Sequence, residues 1–157
     1  MNTVMTYETP SNDSADTEKL GEQLGRRLKG GEVIELISDL GGGKTTLVRG
    51  LASGAGSSDV VASPTFMIQK QYIGSKFKIH HFDLYRLGDD KAMIEQTITE
   101  EVESGDVVVA EWADRVEGAM PKQRVLIELR RDAAGEDVRK IICHYPDDMG
   151  YLFEELK

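Results

Sequence analysis

Cysteine is nearly absent from this chain: Cys143 is the only one among 157 residues. A single thiol excludes an internal disulfide framework and fits a reducing compartment. A long apolar run is missing too, so no segment approaches the roughly 20 residues that a membrane helix needs. The N-terminal stretch MNTVMTYETPSNDS has neither the charged nor the apolar block of a secretory signal. These lacks set the expectation of a cytoplasmic protein with no membrane partner. Positive charge is in deficit as well, with 19 Lys and Arg against 28 Asp and Glu and a net charge of −9. That argues against a protein whose main grip on nucleic acid is its own electrostatics, while leaving room for a local basic patch.

What is present suffices for one domain, because a chain of this length that is 39% hydrophobic and 30% charged buries a single substantial core. Residues 1–13 are polar, contain Pro10, and read as a loose segment. Leu20, Leu24 and Leu28 then recur at helical spacing from Ser14 or Asp16, and Gly30-Gly31 stops the pattern. Val33 to Ile37 is a short apolar run, read as a buried strand, and Lys44 to Ala52 reads as a helix with Leu47, Val48 and Leu51 inward. Phe66–Ile73 and Phe77–Asp83 flank Gly74-Ser75 as a hairpin, and Leu87–Glu103 is helix-compatible. Asp106–Trp112 contains a continuous apolar run suited to a central strand, and Val125–Leu129 and Val138–Ile142 are two further strands. The expected architecture is a single α/β domain over residues 14–144, a central mixed sheet flanked by helices. Residues 145–157 form a tail with Tyr151, Leu152 and Phe153 among acids, suited to docking as a terminal helix.

Between the first buried strand and its helix stands ISDLGGGKTT, residues 37–46. A phosphate-binding P-loop reads G-x-x-x-x-G-K-[ST]; Gly43, Lys44 and Thr45 fill the last three positions, and Ser38 replaces the first glycine. Backbone N–H groups from Leu40 to Thr45 at a helix start would form an anion nest reinforced by the helix dipole. Lys44 would neutralise β/γ-phosphates and the Thr45 hydroxyl would coordinate Mg²⁺. The competing reading is a glycine-rich turn with a surface lysine. The strand before and the helix after favour phosphate, and serine is tolerable at 38 if its φ is negative. No Asn-Lys-x-Asp motif follows, which favours adenine over guanine.

A P-loop enzyme needs a carboxylate at the end of a neighbouring strand, and VVVAE ends in Glu111. The run HHFDLYR, residues 80–86, adds Asp83, able to orient or deprotonate a water or to join the Mg²⁺ shell, and Arg86 to balance charge. His80 and His81 alternate faces of a strand, so the pair cannot serve one metal. Ser63-Pro64-Thr65 is either a turn before a strand or a switch connection. Trp112, the only tryptophan, reads as a core residue and a reporter beside Glu111, and Cys143 as packed within its strand.

Taken together, SDLGGGKTTLVRG, SPTF, HFDLYRL and AEWAD, in this order and at these separations, resemble the TsaE (YjeE) family. These are small bacterial P-loop ATPases required for making threonylcarbamoyladenosine in tRNA. The likeness runs from about Thr17 to about Ile142, and Ser38 and Gly42 depart from the family's Gly-Asp-Leu-Gly-Ala-Gly-Lys-Thr. The resemblance implies a P-loop NTPase that binds ATP and Mg²⁺, with nucleotide contacts from Asp39, Leu40, Gly41, Gly42, Gly43, Lys44, Thr45 and Thr46. It further implies Mg²⁺ placement by Thr45 and Glu111, catalytic roles for Asp83 and Lys44, and a switch role for Thr65. Thr17 matches a position that approaches the nucleotide, and Arg139 resembles an arginine flanking the adenine. Partners are implied as well: TsaD and TsaB homologues, with tRNA reached indirectly through them and ATP hydrolysis resetting the complex.

Two other functions fit parts of the pattern. A small-molecule P-loop kinase would need an acceptor pocket and an arginine-bearing lid, for which Arg115 and Arg130-Arg131 are the only candidates. A nucleotide-sensing module without efficient turnover would follow if Ser38 spoils the loop.

Overall fold

The computed structural model of the chain describes residues 3–38, 43–62, 69–84, 90–113 and 118–156. Its elements are β1 (Val4–Ser11), α1 (Ser14–Arg27), β2 (Val33–Ser38), α2 (Lys44–Gly54), β3 (Gln69–Ile73) and β4 (Lys78–Asp83). They continue with α3 (Lys91–Glu103), β5 (Val107–Glu111), β6 (Val125–Arg131) and β7 (Arg139–Pro146), and a 3₁₀ turn over Asp147–Leu152. All seven strands form one mixed sheet in the order β1-β7-β6-β2-β5-β4-β3. β2, β4, β5 and β6 run parallel as neighbours, and the hairpins β3–β4 and β6–β7 and the pair β1–β7 are antiparallel.

The central strands follow from burial on both faces. All five residues of β5 are buried between β2 and β4, as its unbroken apolar run requires. On one face, Leu36, Ile79, Val109, Ile127 and Cys143 pack under α1 and α2 residues Leu20, Leu24, Leu47, Val48 and Leu51. On the other, Phe82, Val108 and Ala110 meet Ile94 and Ile98 of α3. Cys143 is fully buried, and desolvation alone pushes its thiol up to about 12, so it offers no thiolate at neutral pH.

Two segments differ from the sequence-based expectation. Residues 4–11, expected to be loose, form β1, an edge strand whose main chain pairs with β7 from Val4↔Pro146 to Ser11↔Arg139. Its side chains are mostly exposed, so the stabilising partner is backbone and leaves no apolar signal; Pro10 is tolerable at such an edge. The boundary expected at residue 144 falls inside β7, and the tail beyond it is part of the domain. Leu152 and Phe153 are buried in the main core, Phe153 stacks on Tyr145 at 4.1 Å, and the Tyr151 hydroxyl donates to Glu32 at 2.7 Å. α3 begins at Lys91, later than expected, where Asp90 caps it by accepting from the Met93 amide at 3.1 Å. No helix among the described residues is long and apolar enough to cross a membrane.

α1 and α2 touch through glycines. A Cβ added at Gly21 or Gly25 of α1 would run into the Leu47 or Leu51 carbonyl, and one at Gly50 or Gly54 of α2 into the Glu18 or Glu22 carbonyl. The two backbones therefore lie closer than any side chain permits. Gly50→Ala tests which effect wins, since alanine gains about 1 kcal/mol of helix propensity. Overpacking costs about 1–3 kcal/mol and here meets backbone rather than a movable side chain. The expected outcome is a net loss of stability in urea unfolding; an unchanged or higher midpoint would contradict the contact.

Candidate functional site

The site lies where the parallel strands end. β2 stops at Ser38, an extended residue paired with Leu129, and Ser38 is not among the positive-φ residues. Glycine's freedom is thus unnecessary at 38. Gly43 is the opposite case: it caps α2 with φ 101 and ψ 15, a left-handed geometry that any Cβ would strain. No side chain among the described residues caps α2, so its first-turn amides face forward at the positive end of the helix dipole. Thr45 and Thr46 are half-buried in that turn. A helix start of this kind is suited to a phosphate.

Register brings the acids beside it. Glu111 pairs with Leu36 of β2 on one side and with Asp83 of β4 on the other. Both carboxylates therefore stand at the same end of the sheet as Lys44, the crevice in which open α/β sheets bind ligands. The Lys44 ammonium is 3.4 Å from Glu111 Oε1, and the His81 ring nitrogen Nε2 is 2.5 Å from Oε2. Burial works against the charged form of Glu111, but His81 and Lys44 more than offset it and hold the carboxyl below its ordinary range.

Trp112 is not a core residue. It is 38% exposed, takes φ 63, and lies under the Lys44 ammonium, 4.7 Å from the ring centroid. Its place beside the lysine was not visible from the sequence, because it depends on the backbone turning after β5.

A second set gathers at the other flank of α2's start. Thr17, Gly43, Thr46 and Arg139 line one cavity of about 180 Å³ with Asp13, Ser14 and Asp137. Thr17 is buried, and its hydroxyl shares a 2.7 Å hydrogen bond with Ser11 at the end of β1. Arg139 opens β7 and donates to the Val138 carbonyl at 3.1 Å and to that of Glu136. The cavity thus joins two residues far apart in sequence, Thr17 and Arg139, to the helix start. Asp39, Leu40, Gly41, Gly42 and Thr65 lie outside the described residues, as does Arg86.

His80 and His81 face opposite sides, as strand alternation requires. His80 is buried under α3 with Nε2 at 2.8 Å from both Glu101 and Asp106, and Gln69 meets its Nδ1 at 2.8 Å. That cluster fastens the end of α3 and the following turn to the sheet.

Fold and site place the protein in the class of α/β domains that present a glycine-started helix, a lysine and two carboxylates at the carboxyl ends of parallel strands. The family follows from comparison. The family model described as threonylcarbamoyl adenosine biosynthesis protein TsaE matches residues 11–141. A Bacillus subtilis (strain 168) protein called tRNA threonylcarbamoyladenosine biosynthesis protein TsaE is 35% identical over 126 residues, 80% of this chain and 77% of that protein. A protein of the same name from Treponema pallidum (strain Nichols) is 37% identical over 125 residues, 80% of this chain and 92% of that one. The crystal structure of Bacillus subtilis YdiB superposes with a TM-score of 0.80 at 29% identity, covering 99% of this chain and 96% of that one. The chain belongs to the TsaE family.

Because Lys44 sits over the Trp112 ring, an anion that draws the ammonium away should change the indole's emission. Titration with ATP and Mg²⁺ is expected to give a saturable change in the single-tryptophan signal, and Lys44→Ala to abolish it. Retention of the full change in Lys44→Ala would dissociate the two groups.

Proposed function

We propose that this chain is an Mg²⁺-dependent ATP hydrolase supporting threonylcarbamoyladenosine (t6A37) modification of tRNA, working with TsaD and TsaB homologues. The observation that carries the nucleotide reading is the meeting of Lys44 and Glu111 at the start of α2. A lysine and a carboxylate that neutralise each other beside an uncapped helix start are each one partner away from their roles with MgATP. Family membership and the names of the relatives support the pathway.

In this reading the amides of Gly43 to Thr46, together with Asp39 to Gly42, cradle the phosphates. Lys44 leaves Glu111 for the β/γ oxygens. Thr45 and Glu111 would hold Mg²⁺, which supplies charge neutralisation at those oxygens. Thr17 and Arg139 border the cavity suited to the nucleoside, with Arg139 flanking the base. Asp83, one strand over from Glu111, is the group to hold or accept the proton of an attacking water. Thr65 is the proposed switch residue. The acidic composition agrees with tRNA contacts made mainly by the partners, and in this reading the work takes place in the cytoplasm.

Two substitutions separate binding from turnover. Lys44→Ala should weaken ATP binding at least tenfold, the loss of one charge-assisted phosphate contact. Asp83→Ala should leave binding within a few-fold and reduce turnover by roughly 100-fold or more, as expected for a proton-transfer group. Phosphate release should be slow alone and rise when TsaD and TsaB homologues are added. A high rate indifferent to both partners, or saturable binding with no release in their presence, would overturn the proposal.

A further inference from the structure

Glu111 is the head of a buried polar chain that reaches away from Lys44 and the start of α2. Behind it, His81 is fully buried, with Nε2 at 2.5 Å from Glu111 Oε2 and Nδ1 at 3.0 Å from the Tyr72 hydroxyl. Tyr72 is 1% exposed, and its hydroxyl also lies 3.1 Å from the Ala62 carbonyl. Ala62 directly precedes Ser63-Pro64-Thr65. Three groups from β3, β4 and β5 thus connect the carboxylate to the chain entering residues 63–68.

Packing alone does not require this. An apolar side chain at 81 would fill the space between β4 and its neighbours without the cost of desolvating an imidazole and a phenol. The hydrogen bonds recover that cost only because both ring nitrogens are engaged. Glu111 only accepts, so Nε2 carries the proton facing it, and His81 fixes which carboxylate oxygen remains for other partners. Oε2 is taken; Oε1, now on Lys44, is the oxygen released when the lysine moves. Burial raises the Tyr72 hydroxyl above its ordinary pKa, so it stays a donor at neutral pH. It donates to the Ala62 carbonyl and shares a second hydrogen bond with Nδ1.

We infer that His81 and Tyr72 are positioning residues that hold Glu111 for Mg²⁺ and couple its orientation to Ala62, at the entrance to the segment carrying Thr65. The inference rests on the reading of Glu111 as a Mg²⁺ carboxylate. A displacement of residue 62 moves the Tyr72 hydroxyl that meets the ring, and the hold on Glu111 changes with it; by linkage, metal bound at Glu111 biases residue 62 in return. Supports behind a metal carboxylate commonly govern affinity or activity by roughly 10- to 100-fold.

The test uses the full-length chain with its partners. Tyr72→Phe keeps the ring and removes only the hydroxyl; His81→Leu removes the whole link, and His81→Gln restores a donor toward Glu111. Each is assayed well below its melting temperature for ATP affinity in EDTA, read from Trp112, and for the Mg²⁺ concentration giving half-maximal turnover. The expected result is unchanged metal-free ATP affinity and a half-saturating Mg²⁺ raised about 10-fold in Tyr72→Phe. The shift should be larger in His81→Leu and partly reversed in His81→Gln. A purely structural role would lower metal-free binding and turnover together, with Mg²⁺ dependence untouched, and would overturn the inference. Glu111→Gln distinguishes the two readings. If it abolishes Mg²⁺ dependence and Tyr72→Phe does not shift it, the coupling alone is wrong; if it leaves Mg²⁺ dependence intact, both readings fall.

Discussion

The carboxylate of Glu111 is held from two sides, by the Lys44 ammonium and by His81, and the site is organised around that grip. A buried carboxylate is costly unless its charge is met by partners in good geometry. Here the partners come from different elements: Lys44 from the first turn of α2, His81 from β4. The parallel pairing of β2, β4 and β5 makes the meeting possible, because it brings the end of each strand to one edge. An antiparallel β5 would deliver Glu111 to the opposite end of the sheet. The position of Asp83 beside Glu111 follows from the same register.

A second constraint fixes how α1 approaches. The glycine contacts between α1 and α2 let the two backbones pack with no side chain between them. That closeness sets the N-terminal end of α1, with Asp13, Ser14 and Thr17, against Gly43 and Thr46 at the start of α2. β1 completes the wall. Its last residue, Ser11, bonds Thr17, and its pairing with β7 carries Arg139 to the same cavity. Chain segments that look peripheral in sequence thus shape the flank of the site.

Much of this was readable beforehand. The apolar run of β5 announced a strand buried on both faces, and the order strand, glycine loop, helix located α2 and Lys44. The acids ending β4 and β5 were visible as acids at strand ends; their adjacency was not, because register across a sheet is a tertiary property. β1 escaped detection because an exposed edge strand is stabilised by main-chain hydrogen bonds and needs no apolar alternation. Residue type points to a core Trp112, yet a positive φ turns it outward beneath the Lys44 ammonium. The spacing of Gly21 and Gly25, and of Gly50 and Gly54, was present in the sequence, but a glycine that permits close packing looks like any other until its neighbour is known. His81 and Tyr72 hid for a similar reason: a buried polar pair on neighbouring strands reads from sequence as ordinary strand content.

The central claim is that the start of α2 receives the phosphates of ATP while Lys44 and Glu111 exchange each other for phosphate and metal. The most direct test is a crystal structure of this chain with a non-hydrolysable ATP analogue and Mg²⁺. The account predicts β/γ-phosphates against the Gly43–Thr46 amides, the Lys44 ammonium on their oxygens, and Glu111 turned from lysine to the metal shell with His81 still on Oε2. An intact Lys44–Glu111 pair, with the analogue bound elsewhere or absent at saturating concentration, would contradict it.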